Sequence, residues 1–270
     1  MQPKPLSRRL AIAAVGLLLV VGSVGCYDDH DHDDDRPPGA AIAVNESTTL
    51  TADQTDSFSI NRNGVTFDCD GFEIQGDGTL AGIYVWNVRN VTVRNCRVTG
   101  ARHGISIQNT DDSRFLDNDF VDNTEEGMDI ERSHDNLIDG NLIEGNGRHG
   151  VDIERSRRND FFGNDILSNT LNGYEADDCD DHDLFDNLVE SNGQHGISTD
   201  FSHFNIYESN LVNENGNRGF QIEESDGNDF IRNEGCDNPG GDYRQNNSGG
   251  NFWCENIFCD SDVGGTDAPC

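Results

Sequence analysis

The run Gly127-Met128-Asp129-Ile130-Glu131-Arg132-Ser133-His134-Asp135-Asn136-Leu137-Ile138-Asp139-Gly140-Asn141-Leu142-Ile143-Glu144-Gly145-Asn146-Gly147-Arg148-His149 is followed at once by Gly150-Val151-Asp152-Ile153-Glu154-Arg155-Ser156, the same pattern 23 residues on. The pattern extends both ways. Gly82, Gly104, Gly127, Gly150, Gly173, Gly196 and Gly219 each open a Gly-apolar-x-apolar stretch, spaced 22 once and 23 thereafter, and Asp242-Tyr243 keeps the register with Asp in place of Gly. Asn95, Asn118, Asn141, Asn164, Asn187, Asn210, Asn233 and Asn256 recur every 23 residues, as do Asn123, Asn146, Asn169, Asn192, Asn215 and Asn238. A fixed period of this length means a solenoid or a related array.

The apolar positions decide which. Each unit holds three short alternating patches, too short for helices and patterned as strands. The first is the glycine-headed stretch. The second centres on Phe115, Ile138, Phe161, Leu184, Tyr207, Phe230 and Trp253, and the third on Phe120, Ile143, Ile166, Val189, Val212 and Phe258. Three strands and three turns make a triangular coil. Coils stacked about 4.8 Å apart turn each apolar column into a continuous core. The asparagines fall at corners, where they tolerate left-handed backbone and can form amide ladders from coil to coil. The leading glycines would meet the same need for an unusual backbone, and Ser133, Ser156, Cys179, Ser202, Ser225 and Ser248 mark a further corner.

Gly-Ile-x-Ile followed by Ser-x-x-Asn-x-apolar-x-x-Asn resembles the parallel β-helix repeat of the pectate-lyase-like superfamily, and is most similar to the generic repeat domain seen in NosD-type periplasmic proteins. The resemblance covers about residues 60–258 and implies an all-β fold: a right-handed parallel β-helix with three short strands per 23-residue coil. Residues 41–59 are then expected to be an N-terminal strand and cap over the first open edge.

The whole chain carries a net charge of −33, and its one lysine is Lys4. Such a surface repels nucleic-acid phosphates and anionic membranes and favours cations or basic partners. Lys4, Arg8 and Arg9 before the apolar run Leu10 to Val21 read as an export signal over residues 1–26, and Ser23-Val24-Gly25-Cys26 resembles a lipobox, with Cys26 the lipidated residue. The acidic stretch 27–40 is expected to be a disordered tether, 41–262 the β-helix, and 263–270 a tail. This places the protein in the cell envelope or outside the cell, touching membrane only through its lipid.

Export permits disulfides. Cys236 and Cys259 stand one coil apart, and Cys69 and Cys96 meet similarly in the opening coils. Cys254 and Cys270 could tie down the tail, while Cys179 replaces a serine in its column and reads as a free, partly buried thiol.

Chemistry is expected on the first strand, where residues two and four after each glycine point outward. In three consecutive coils these are Asp129/Glu131, Asp152/Glu154 and Glu175/Asp177, six carboxylates on one face. Ser106/Gln108, Ser198/Asp200 and Gln221/Glu223 continue the columns, and His103, His149 and His195 precede their glycines, with Arg102, Arg148 and Arg218 nearby. Three readings stay open. The six carboxylates hold Ca²⁺, which bridges an anionic sugar as it does in the lyases this fold resembles, for lyase or epimerase chemistry. Carboxylate pairs hydrolyse a glycosidic bond. Or the acids are a solvated face on a passive display or adhesion rod. For the active readings Asp129, Asp152, His149 and Arg148 are the candidate catalytic groups, and Glu131, Glu154, His195 and Arg155 the substrate contacts. Polysaccharide is the expected partner. The acids repeat as Asp-x-Glu like the scaffold itself, and no Asp-Pro-His-Asp epimerase signature, serine elbow, phosphate loop or Cys-x-x-Cys pair is present. Trp86 is a candidate sugar platform; Trp253 falls in a core column.

Overall fold

The computed structural model describes residues 41–259. The expected signal with Cys26, the expected tether, and the expected tail with Cys270 lie outside the described residues.

Each coil gives one strand to each of three parallel sheets of ten, ten and nine strands. In the coil opening at Gly150 these are Val151–Glu154, Asp160–Phe162 and Asp165–Leu167. The register is the one the period dictates. Val151 pairs between Met128 and Tyr174, Phe161 between Ile138 and Leu184, and Ile166 between Ile143 and Val189. These columns are fully buried. Burying a side chain of this size is worth about 1.5–3 kcal/mol, so the stacked columns dominate the stability of the rod. Aromatic members lie flat on one another: Tyr207 and Phe230 have centroids 4.7 Å apart, and Phe230 and Trp253 3.9 Å. Trp253 is thus lodged at the core, partly buried. There is no helix among the described residues.

Residues 41–57 form a shortened first coil rather than a separate cap. Ile42–Ala43 pairs with the strand Phe58–Ile60, Thr48–Thr49 with Thr66–Asp68, and Gln54 bridges to Ile74 in the third sheet. They still cover the open end, by continuing the sheets.

The asparagine ladders form. Asn141 Nδ2 donates to Asn164 Oδ1 at 2.9 Å and Asn164 Nδ2 to Asn187 Oδ1 at 2.9 Å, and each amide also donates to a strand carbonyl of a preceding coil. The second ladder runs likewise through Asn146, Asn169 and Asn192. At both corners the left-handed residue is the one before the asparagine, for example Asp117, Gly140, Gly163 and Asp186 before Asn118, Asn141, Asn164 and Asn187. Apart from Asn95, the ladder residues keep ordinary φ; their task is to satisfy buried backbone groups. The leading glycines are also explained differently than expected. None has a positive φ. A Cβ at Gly150 would lie 2.6 Å from Gly173 O and 2.7 Å from Asn169 Nδ2, so glycine is there to make room.

Disulfides join Cys69 to Cys96 and Cys236 to Cys259, with Cα atoms 4.7 and 5.0 Å apart. Cys254 is also disulfide-bonded, its expected partner lying outside the described residues. Cys179 is free and fully buried.

Candidate functional site

The outward face of the first sheet is built from three columns. The residue two after each glycine gives Ser106, Asp129, Asp152, Glu175, Ser198 and Gln221, joined in register strand by strand. The residue four after gives Gln108, Glu131, Glu154, Asp177, Asp200 and Glu223. The residue before each glycine gives His103, Glu126, His149, Asn172, His195 and Arg218.

This face is partly shielded from solvent. Ser106, Ser198 and Gln221 are buried, and Asp129, Asp152 and Glu175 are half-buried. The column before the glycines packs against them. Asn172 donates through Nδ2 to Glu175 Oε2 and accepts the His195 N–H on Oδ1 at 2.8 Å. Ser106 Oγ donates to Asp129 Oδ2 at 3.1 Å.

Crowded carboxyls out of water hold their protons more tightly. Burial pushes Asp152 well above the usual carboxylate range, reinforced by Asp129, Glu126, Glu154 and Glu175. Burial lifts Glu175 to about 7 against the hydrogen bonds from Asn172 and Ser198. Asp200 rises to about 6 by burial, with Asp177 and Glu223 adding to it. The imidazoles move the other way: burial lowers His149 to about 4 despite Glu126, and His195 to about 4 with help from Arg218. Both are neutral at pH 7, and the Nδ1 of each is buried with no hydrogen-bond partner among the described residues.

The expected arginines are engaged. Arg155 lies 3.6 Å from Glu131 and 3.3 Å from Glu154, and Arg132 3.0 Å from Glu131, so two of the six carboxylates are neutralised locally. Arg148 Nε lies 3.1 Å from Glu126 Oε1. The middle of the first outward column, Asp129, Asp152 and Glu175, stacks in register strand by strand, with His149 three residues before Asp152.

Glu125, Glu126 and Asn172 are components the sequence reading passed over. Their signal was available: Glu126 and Asn172 occupy the same register position as His103, His149 and His195. His103 Nδ1 lies 2.8 Å from Glu126 Oε2, and Arg102 Nε 2.8 Å from Glu125 Oε2. Burial works to raise Glu126, but the His103 hydrogen bond and charge, with Arg148, hold it below the usual range. His103, Glu125 and Glu126 bring ligand atoms within 4.8 Å of one another, the one such trio among the described residues, and could bind a metal. It is not drawn from the six expected carboxylates, and two guanidiniums already occupy its acids.

The class this architecture defines is a parallel β-helix whose first-sheet face carries neutral imidazoles and carboxyls raised by burial. The chain belongs to the right-handed β-helix family, whose "Right handed beta helix region" model matches residues 81–234, more than half its length. No curated protein is similar to it in sequence at a significant level. Among solved structures it is similar to a mutant of the periplasmic alginate epimerase AlgG (TM-score 0.61, 16% identity, covering 77% of this chain and 61% of that one). It is also similar to the A-module of an Azotobacter vinelandii mannuronan C-5 epimerase (TM-score 0.61, 13% identity, 85% of this chain and 78% of that one). A third similar structure is an alginate lyase from a Paenibacillus species (TM-score 0.50, 14% identity, 78% and 93%). The chain therefore spans under two thirds of the AlgG structure, and at these identities the likeness is one of fold.

Proposed function

We propose that the protein is an exported, lipid-anchored β-helix that binds polysaccharide along its first-sheet face and processes it by proton transfer. The observation that carries this reading is the column of half-buried carboxyls Asp129, Asp152 and Glu175, stacked in register on the first sheet, with Asp152 and Glu175 raised by burial and His149, three residues before Asp152 in the same coil, kept neutral by it. Proton transfer is most efficient when a group's pKa lies near the working pH, as that of Glu175 does at about 7. A protonated Asp152 or Glu175 would donate to a sugar oxygen or carboxylate, and His149 would accept a proton. The solved structures of similar fold include enzymes named for alginate, which supports a polysaccharide as the substrate class. The disulfides support an extracytoplasmic location, with residues 1–26 the signal and Cys26 the anchor. The ionised carboxylates on this face would take Ca²⁺ as a bridge where the sugar is itself anionic.

The test incubates the domain with neutral and anionic polysaccharides, with and without Ca²⁺, following retention, reducing ends and unsaturated products. Asp152→Asn and His149→Ala should each lower turnover by about 10²–10⁴. No retention and no product on any sugar would overturn the reading in favour of a passive rod.

A further inference from the structure

Left-handed residues recur five and eight positions after the leading glycines, at the corner between the first and second sheets. They are Asn109 and Asp112, Arg132 and Asp135, Arg155 and Arg158, and Asp178 and Asp181 in successive coils. These side chains are polar and belong in solvent. In the coil opening at Gly196 the same two positions hold Phe201 (φ 46°) and Phe204 (φ 60°), where a bulky aromatic is a genuine outlier. The two rings are 48% and 64% exposed. The other exposed large hydrophobics among the described residues, Ile42, Phe252 and Ile257, belong to the end coils. Backbone strain and exposed apolar area both oppose this choice, so folding does not explain it.

The scaffold fixes the backbone that carries the pair. Between them Ser202 is fully buried, donating through Oγ to Asp200 O at 2.7 Å and through N to Ser225 Oγ at 3.0 Å. The Phe204 ring rests against the next coil at Gly227, where a Cβ would come within 2.9 Å of it. Glycine holds this position in that coil and again in the one after it, at Gly250. The pair begins one residue after Asp200, at the end of the acidic face.

The geometry points to a carbohydrate-stacking subsite at Phe201 and Phe204, which takes the apolar face of an uncharged pyranose ring and extends the polysaccharide face around the corner. A ring seated as Phe204 is on the next coil binds with little loss of conformational freedom, and an aromatic face with polar groups around it suits a sugar, apolar on its ring face and hydroxylated at its edge. Asp200, Glu223, Glu224 and Asp226 surround the pair in sequence and in the stacked coil; they can accept from hydroxyls and disfavour an anionic ring. This inference rests on the polysaccharide reading.

The experiment measures binding of neutral cello-, malto-, manno- and chito-oligosaccharides to the domain by calorimetry. It compares wild type with Phe201→Asn/Phe204→Asn, Phe201→Trp/Phe204→Trp and Asp152→Asn. Asparagine suits left-handed corners, so the Asn variant should melt no lower than wild type while its affinity falls about tenfold or more, and the Trp variant should keep binding. If the Asn variant binds as tightly as wild type, the subsite is wrong and the polysaccharide reading stands. If the Asn variant alone loses binding and Asp152→Asn leaves turnover unchanged, the subsite stands and the acid–base reading of the face falls. Wild type binding none of the panel overturns the subsite, whereas retention on anionic polymers would preserve the wider reading. Conversion of a wild-type dimer to a monomer by the Asn variant, with sugar binding unchanged, would also overturn it.

Discussion

Tyr174 Oη and His182 Nδ1 lie 2.9 Å apart in the interior of the rod. His182 stands in a column otherwise filled by Asn136, Asn159, Asn205 and Asn228. Its backbone N–H donates to Asn205 Oδ1 at 2.7 Å, and its ring Nε2 lies 3.4 Å from Asn159 Nδ2. Tyr174 satisfies the remaining nitrogen. Tyr174→Phe should therefore cost about 1–3 kcal/mol by leaving that nitrogen unpaired. Adding His182→Asn, which restores the column's usual residue, should recover part of the loss. Chemical denaturation of the two single variants and the double closes the cycle.

His182 also predicts a pH effect of known sign. Burial holds it at about 3, far below its unfolded value, so the native state refuses a proton that the unfolded chain accepts. Its contribution is complete above about pH 6.5 and is lost as pH falls toward 3. Relative to wild type, His182→Asn should lose less stability between pH 7 and pH 4, by on the order of 3 kcal/mol. Parallel curves for the two proteins across that range would contradict a buried, neutral His182.

Glu175 gives the opposite slope. Its carboxyl is raised to about 7 from an unfolded value near 4.5, so the native state holds a proton that the unfolded chain has released. Stability from this group is full below about pH 4.5 and is lost as pH rises through 7. Glu175→Gln should therefore be more stable than wild type at pH 8 relative to pH 4.5, by on the order of 2 kcal/mol. Urea midpoints at the two pH values test it, and the same variant should flatten any dependence of sugar binding on pH between 6 and 8, where the wild-type carboxyl titrates.

The architecture was legible because one residue in each column does the same job in every coil. Gly150, Asn164 and Ile166 each announce themselves at intervals of 23. The physical reason for a column was less accessible. Glycine at 150 and left-handed backbone at 163 are both consistent with a corner, and only the packed neighbours reveal that the first is a matter of space and the second of φ. The site shows the same limit. Asp152 and Glu175 could be picked out as outward, but their half-burial depends on Asn172 and its neighbours, whose side chains lean over the strand. The particular partners of Arg148 and Arg155, namely Glu126, Glu131 and Glu154, were not legible because they come partly from the coil before. Phe201 and Phe204 break their columns, and a reading that searched for what repeats passed over them.

The link between Cys236 and Cys259 joins adjacent coils at the C-terminal end of the rod. Closing a loop of 23 residues stabilises by about 3 kcal/mol in the chain-entropy account. Because each coil contacts chiefly its neighbours, the effect should stay local. Cys236→Ser/Cys259→Ser should leave the middle coils protected in hydrogen exchange while amides in 243–258 exchange faster. Uniform acceleration along the chain would mean that the rod unfolds as one unit.

Asn164 is the most demanding test of what holds the coils together. Its Oδ1 accepts from Asn141 N at 3.0 Å and Asn141 Nδ2 at 2.9 Å, while its Nδ2 donates to Ile138 O at 3.1 Å and Asn187 Oδ1 at 2.9 Å. Alanine removes both ends of the amide and strands partners above and below, in an interior closed to water. Each buried group left unsatisfied costs about 1–3 kcal/mol, so Asn164→Ala should destabilise the domain by roughly 4 kcal/mol. The neighbouring Asp165 is exposed on the third sheet, and Asp165→Ala should change stability by less than about 0.5 kcal/mol. Denaturation midpoints for the pair decide the matter. If the two substitutions cost the same, the ladder contributes no more than surface contacts, and stacked hydrocarbon alone would have to hold the coils.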